Sequence, residues 1–133
     1  MAASPLERCY LISDSMNETN DCGVRATALT CGVPYERAYE ALAKAGRRFR
    51  SGVLIPQVTK AVKSLGCTLG RRERPVQASG SLFTAKTISK AYPRGRFLVY
   101  TRNHVFALVN GKVLDWARGT RARVLSVQEV ILK

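Results

Sequence analysis

Cys22 and His104 are the residues whose types best fit nucleophilic catalysis in this sequence. His104 is the only histidine among 133 residues, and Cys22 is one of four cysteines. A cysteine attacks as the thiolate, and a neighbouring imidazole can accept its proton. The two side chains therefore predict thiol-based nucleophilic chemistry, provided that the fold brings them together.

A hairpin signal places an acid beside the histidine. Asn110-Gly111 is typical of a two-residue turn, which pairs the residues on either side of it. In that register His104, Phe106 and Asp115 share one face, and His104 and Asp115 are diagonal neighbours about 7–8 Å apart. A carboxylate there can fix the ring tautomer and stabilise the imidazolium. Trp116 points to the other face and is expected in the core.

Cys22 is the best candidate for the nucleophile. Asn20-Asp21 offers an N-cap for a helix over 22–30, which Gly32 ends. A thiol at a helix N-terminus has a lowered pKa because the helix dipole favours the thiolate, although the Asp21 charge opposes this. The other three cysteines are expected to be small buried hydrophobic residues, namely Cys9, Cys31 and Cys67.

The elements that must position these residues follow an α+β order. Apolar periodicity predicts further helices over 34–46 and 56–66, after which residues 67–80 form a strand and turn. A short helix over 84–91 precedes strands at 97–101, 104–109 and 112–116, and 124–132 is a strand or short helix. We expect the N-terminal helices to pack on one face of a C-terminal antiparallel sheet, as one domain over 1–133.

Two short motifs resemble those of papain-like cysteine peptidases. The segment Asn20-Asp21-Cys22-Gly23 with Ala28, followed late in the chain by the stretch from His104 through Asn110-Gly111 to Asp115, looks like the small bacteriocin-processing type and its bacterial and phage relatives. The resemblance implies a papain-like fold, with Cys22 as nucleophile, His104 as general base and then acid, and Asp115 as the residue that orients the imidazole.

One position departs from the family pattern. The family usually has a glutamine six residues before the cysteine to bind the oxyanion, and Met16 occupies that position here. Asn17 or Asn20 could supply the amide instead, beside the Cys22 backbone N–H. A weak or specialised enzyme and one that has lost its activity both fit this sequence.

A strong positive charge suggests a second class of function. The formal net charge is +13, and residues 67–133 hold thirteen basic against three acidic residues. Arginine predominates, and it suits bidentate contacts with phosphate or carboxylate. The arginines expected to bind nucleic acid or an acidic partner are Arg47, Arg48, Arg50, Arg71, Arg72 and Arg74, with further arginines in 94–102 and 118–123.

Composition and cysteine spacing bear on membrane insertion, secretion, metal binding and location. No stretch approaches the roughly 18 apolar residues of a membrane span, and the N-terminus lacks a secretory pattern. The scattered cysteines and the lone histidine disfavour a structural zinc site, so we expect no metal and no organic cofactor. We expect a cytoplasmic location; the sequence leaves the oligomeric state open.

Three functions remain open on the sequence alone. The leading hypothesis is a hydrolase that cleaves a peptide or isopeptide bond in a protein or peptide substrate, and the basic charge favours an acidic one. The second is a module that binds nucleic acid non-specifically through its arginines. The third is an inhibitor or adaptor on a peptidase-like scaffold that lacks the chemistry.

Overall fold

A computed structural model describes residues 4–102, 104–115 and 122–132 of the chain. Four helices come first, and a sheet follows. The helices are α1 (Pro5–Ser15), α2 (Cys22–Cys31), α3 (Tyr35–Lys44) and α4 (Ile55–Ser64), with a one-turn helix α5 (Ile88–Ala91) between the first two strands. The strands are β1 (Thr68–Glu73), β2 (Arg96–Thr101), β3 (His104–Val109), β4 (Lys112–Leu114) and β5 (Val124–Ile131).

The strands form an antiparallel sheet in the order β1-β5-β2-β3-β4. The predicted hairpin is confirmed, since Val109 pairs with Lys112 across the Asn110-Gly111 turn. Both turn residues have positive φ, 48° and 79°, as a type I′ turn requires. The predicted α+β class is therefore observed, and β5 is a strand rather than a helix.

The helices cover one face of the sheet and bury the larger core. Helix α2 lies against β3, and every residue from Gly23 to Cys31 is buried. Gly32 ends α2 in the left-handed conformation, with φ 67°. Leu98 and Tyr100 of β2 belong to this core, whereas Val99 belongs to a smaller cluster beneath α5 on the other face.

Helix α1 was not predicted from the sequence. Ser4 occupies its N-cap and accepts a hydrogen bond from the Glu7 backbone N–H at 3.2 Å, and Pro5 stands in its first turn. The Ser-x-x-Glu spacing with proline after the cap is the signal that could have identified this helix. Two other helices match their predictions closely, because α3 and α4 present the expected apolar faces to the core.

No helix in the described part of the chain combines the length and the apolar character that a membrane crossing requires.

Candidate active site

Cys22 is the first residue of α2, at the end where the helix dipole is positive. Asp21 holds the N-cap position, but its side chain does not cap the helix. It is buried and accepts hydrogen bonds from the Ser13 hydroxyl at 2.6 Å and the Tyr35 hydroxyl at 2.7 Å. Asp21 therefore fixes the start of α2 against α1 and α3, rather than neutralising its own helix terminus.

The Asp21 charge is partly offset within the same turn. The Arg25 Nε lies 3.7 Å from Asp21 Oδ1, one helical turn along α2, and both side chains are largely buried. This is the pairing that the i, i+4 spacing allows. The positive charge of Arg25 also favours a thiolate at Cys22.

His104 and Asp115 lie in direct contact. His104 Nε2 is 2.7 Å from Asp115 Oδ2, and their side chains are 27% and 10% exposed. The His104 and Phe106 rings are 6.1 Å apart, as neighbours on one face of β3 would be. The confirmed hairpin register brings the acid to the histidine, as the turn signal in the sequence indicates.

Cys22 and the His104 ring influence each other's protonation. Burial raises the pKa of its thiol, but hydrogen bonds from the His104 ring and the Val105 backbone, with the positive charges of His104 and Arg25, outweigh burial and lower the pKa overall. The hydrogen bond with Asp115 raises the pKa of His104 to about 9, aided by the hydrogen bond with Cys22. These shifts favour a thiolate–imidazolium pair.

The other cysteines differ from Cys22. Burial raises the pKa of Cys9 to about 11 and that of Cys31 to about 12. Cys67 is buried as well, and all four cysteines are free thiols. A thiol whose pKa is raised by an apolar environment is a poor nucleophile at neutral pH. The expectation that these three are small core residues agrees with their burial.

Neither asparagine considered for the oxyanion site borders the cavity at Cys22. The Asn20 side-chain amide donates to the Arg50 carbonyl at 3.2 Å, and the Asn17 carbonyl accepts from Arg50 Nε at 3.0 Å. Both have positive φ, 53° and 56°, so they shape the turn between α1 and α2. Met16, at the family's glutamine position, packs against the core.

The backbone at the start of α2 offers a donor in their place. The Cys22 N–H is the first of the helix and has no acceptor among the residues that the structure describes. The first N–H groups of a helix lack partners within the helix and suit an anion. An anion beside the Cys22 thiol can accept this hydrogen bond.

Cys22 and His104 line a cavity of about 740 Å³. The remaining lining residues lie in the loop before α4 and at its start, in and directly after β1, and in β2, β3 and β5: Gly52, Val53, Ile55, Arg72, Glu73, Arg74, Tyr100, Thr101, Val105, Leu125 and Ser126. Local sequence patterns do not point to Tyr100, Val105 or Ser126. Their contribution depends on the pairing of β2 with β3 and β5, which no local pattern specifies.

A buried ion pair anchors the loop that forms one wall of this cavity. Arg47 Nη2 lies 2.9 Å from Glu18 Oε1, and the two side chains are 2% and 0% exposed. Arg47 Nε also donates to the Ser51 carbonyl at 2.8 Å, and Glu18 accepts the Arg50 backbone N–H at 2.8 Å. These bonds hold the segment leading to Gly52 and Val53 beside Cys22.

The arginines predicted to bind a polyanion lie in different places. Arg47 departs from that prediction, because its guanidinium is buried in an ion pair with Glu18 and is not exposed to a polyanion. Arg50 is exposed, but its Nε is bonded to the Asn17 carbonyl. Arg48 and Arg71 are exposed away from the cavity, whereas Arg72 and Arg74 are exposed on its rim. Trp116 and the arginines at 118 and 121 lie outside the described residues.

The described residues contain no group of three or more His, Cys, Asp or Glu side chains that could hold a metal ion.

The chain matches no protein-family model, no curated protein and no solved structure. The geometry of Cys22, His104 and Asp115, with the cavity that Cys22 and His104 border, is therefore the observation that bears on function.

Proposed function

We propose that this protein is a cysteine hydrolase that cleaves a peptide or isopeptide bond through Cys22, His104 and Asp115. The observation that carries the proposal is the hydrogen-bonded His104–Asp115 pair, whose imidazole borders the same cavity as Cys22 and lowers the pKa of its thiol. A helix that begins at the cysteine and packs on an antiparallel sheet bearing the histidine supports a papain-like arrangement of the fold.

The geometry supports a two-stage reaction. The Cys22 thiolate attacks the substrate carbonyl carbon, and the resulting oxyanion accepts a hydrogen bond from the Cys22 N–H. Collapse of this intermediate breaks the C–N bond, and the His104 imidazolium gives its proton to the leaving amine. Neutral His104 then accepts a proton from water, whose attack on the thioester releases the acid and regenerates the thiol.

Asp115 supports both stages without touching the substrate. His104 Nε2 is bonded to Asp115, which leaves Nδ1 as the nitrogen that exchanges a proton with the thiol. The carboxylate fixes this tautomer and stabilises the imidazolium that forms when Cys22 ionises.

Hydrolysis of p-nitrophenyl acetate tests the proposal, because an activated ester requires no knowledge of the natural substrate. We expect a burst of nitrophenol and a mass increase of one acetyl group on Cys22, followed by turnover. Cys22→Ala should reduce turnover by at least about 10²-fold, whereas Cys67→Ala should retain it. Equal turnover by the Cys22→Ala variant and the wild-type protein would exclude the proposed nucleophile.

The formal charge of +13 and the exposed Arg48 and Arg71 support non-specific polyanion binding as a second function. It is compatible with catalysis, because these two arginines do not border the cavity at Cys22.

A cytoplasmic, reducing location also forms part of the proposal, since the chemistry needs Cys22 as a free thiol.

A further inference from the structure

One wall of the cavity at Cys22 is built from the paired strands β1, β5 and β2. Arg72 pairs with Gln128, which pairs with Leu98, and residues paired across a sheet share a face. Leu98 belongs to the core under the helices, so Arg72 lies on the same side of the sheet as that core. Ser126 pairs with Tyr100 on this face as well.

The arginines on this wall have little to neutralise them. No hydrogen bond or ion pair involves the Arg72 side chain within the described ranges, and Arg74 Nε donates only to the Leu125 carbonyl, at 3.4 Å. Glu73 lies between them in the chain and also borders the cavity, but alternation places its side chain on the opposite face, where it pairs with Val127. Its carboxylate there accepts a hydrogen bond from the Tyr92 hydroxyl at 3.4 Å.

The Tyr100 hydroxyl adds a donor on the same wall. Tyr100 is 9% exposed, and its hydroxyl oxygen is buried without a hydrogen-bond partner in the part of the chain that the structure describes. An unpaired buried hydroxyl is destabilising, so an acceptor that reaches it gains a hydrogen bond. Burial raises the pKa of Tyr100 to about 12, which keeps its proton in place at neutral pH.

We infer that Arg72, Arg74 and Tyr100 form a carboxylate-binding subsite that selects substrates with an acidic group close to the bond attacked by Cys22. The inference rests on the proposed hydrolase function and assigns its substrate class. Two guanidinium groups and a phenol are donors, and a carboxylate is an acceptor at both of its oxygens. The cavity contains both these donors and the nucleophile.

Two kinds of substrate could present this group. One has an aspartate or glutamate side chain near the cleaved bond, and the other ends in a free α-carboxylate. Three alkylating reagents separate them without requiring hydrolysis: N-iodoacetyl-glutamate α-amide, N-iodoacetyl-glutamine with a free α-carboxylate, and neutral N-iodoacetyl-glutamine α-amide. The rate at Cys22 is measured for each by mass spectrometry of the intact, reduced protein.

We expect one carboxylate reagent to alkylate wild-type Cys22 about tenfold faster than the neutral reagent, which corresponds to one hydrogen bond to a charged group. The faster of the two acidic reagents identifies the source of the carboxylate. In Arg72→Gln/Arg74→Gln the ratio of acidic to neutral rates should fall to about twofold or less. The Arg48→Gln/Arg71→Gln control removes the same charge away from the cavity and should retain the wild-type ratio.

Tyr100→Phe leaves every charge unchanged and should lower the ratio severalfold, because only the buried hydroxyl is removed. Circular dichroism confirms that each variant is folded before the rates are compared. Equal ratios in the wild-type protein and Arg72→Gln/Arg74→Gln overturn the subsite. An equal fall of the ratio in both double variants overturns it as well, because it would indicate the general positive field.

The result does not depend on catalysis. If Cys22 fails to turn over an ester but shows the arginine-dependent ratio, the subsite stands and the hydrolase proposal fails. If turnover occurs without that ratio, the hydrolase stands and its preference for acidic groups is wrong.

Discussion

The contact between His104 and Asp115 sets the pH range over which the site can work. The hydrogen bond that His104 donates to Asp115 raises the pKa of His104 to about 9, and the pKa of Cys22 is lowered. The thiolate forms as the pH rises through the Cys22 pKa, and the imidazolium is lost as it rises through about 9. Between these two values the thiolate–imidazolium pair predominates, which predicts a bell-shaped pH profile.

Replacing Asp115 tests this coupling directly. Asp115→Asn removes the charge but retains an oxygen that can accept from His104 Nε2, so we expect the alkaline limb of the ester hydrolysis profile to move down by about one pH unit or more. Asp115→Ala should show the same shift with a greater decrease in rate, because the imidazole is also no longer held in its orientation. An alkaline limb that stays near pH 9 in both variants would show that another group sets it.

Stability should follow the same titration with a defined sign. The pKa of His104 is higher in the folded protein than the value of about 6.5 expected in the unfolded chain. This difference favours the folded state fully below about pH 6.5, and the contribution disappears as the pH rises through about 9.

At the level of secondary-structure elements, the site depends on the approach of α2 to the segment that precedes α4. Gly23 is next to the nucleophile, and a Cβ atom placed there would overlap the Val53 side chain. The Glu18–Arg47 ion pair holds that segment through the hydrogen bond from Arg47 Nε to the Ser51 carbonyl. Two contacts therefore position the Gly52–Val53 wall of the cavity: close packing at Gly23 and the buried Glu18–Arg47 ion pair.

Gly23→Ala should lower the free energy of unfolding by about 1–3 kcal/mol, since Val53 must move to admit the methyl group. Urea denaturation measures the change. Gly52→Ala is a control, because a Cβ there meets no atom within 4 Å and should have a small effect. Val53→Ala combined with Gly23→Ala should recover part of the stability. Additive effects of the two substitutions would contradict the steric explanation.

Much of this arrangement was predictable from local patterns. Asn110-Gly111 specified the β3–β4 register, and Gly32 marked the end of α2. The insertion of β5 between β1 and β2 was not predictable, because strand order depends on long-range pairing. Asp21 illustrates the same limit. Its type and position indicate a helix cap, but its Oδ2 accepts hydrogen bonds from Ser13 and Tyr35 instead.

For the whole molecule, net charge is the dominant feature. For a chain of 133 residues with a formal charge of +13, we expect attraction of polyanions at low ionic strength. The structure divides the arginines by role: Arg47 is internal, Arg72 and Arg74 border the cavity, and Arg48 and Arg71 face outward. The proposed polyanion binding and the proposed catalysis should therefore respond to different substitutions.

Binding to duplex DNA should depend steeply on salt concentration. Arg48→Gln/Arg71→Gln should weaken binding at low salt and reduce the slope of log K against log salt by about 0.9 for each phosphate that is no longer neutralised. Fluorescence anisotropy with duplexes of unrelated sequence measures both quantities. Cys22→Ala should bind like the wild-type protein. An unchanged slope in the double variant would place the binding surface elsewhere.

The most direct test of the active-site assignment is the pH dependence of iodoacetamide alkylation at each cysteine, measured by mass spectrometry in the wild-type protein and in His104→Ala. We expect Cys22 to react rapidly at a pH well below the roughly 8.5 at which a free thiol ionises, and to react no faster than a free thiol without His104. Cys9 and Cys31 should remain slow in both proteins, because burial raises their pKa to about 11 and about 12. If Cys22 is inert, or reacts as an ordinary thiol in both proteins, the proposed catalytic pair does not exist.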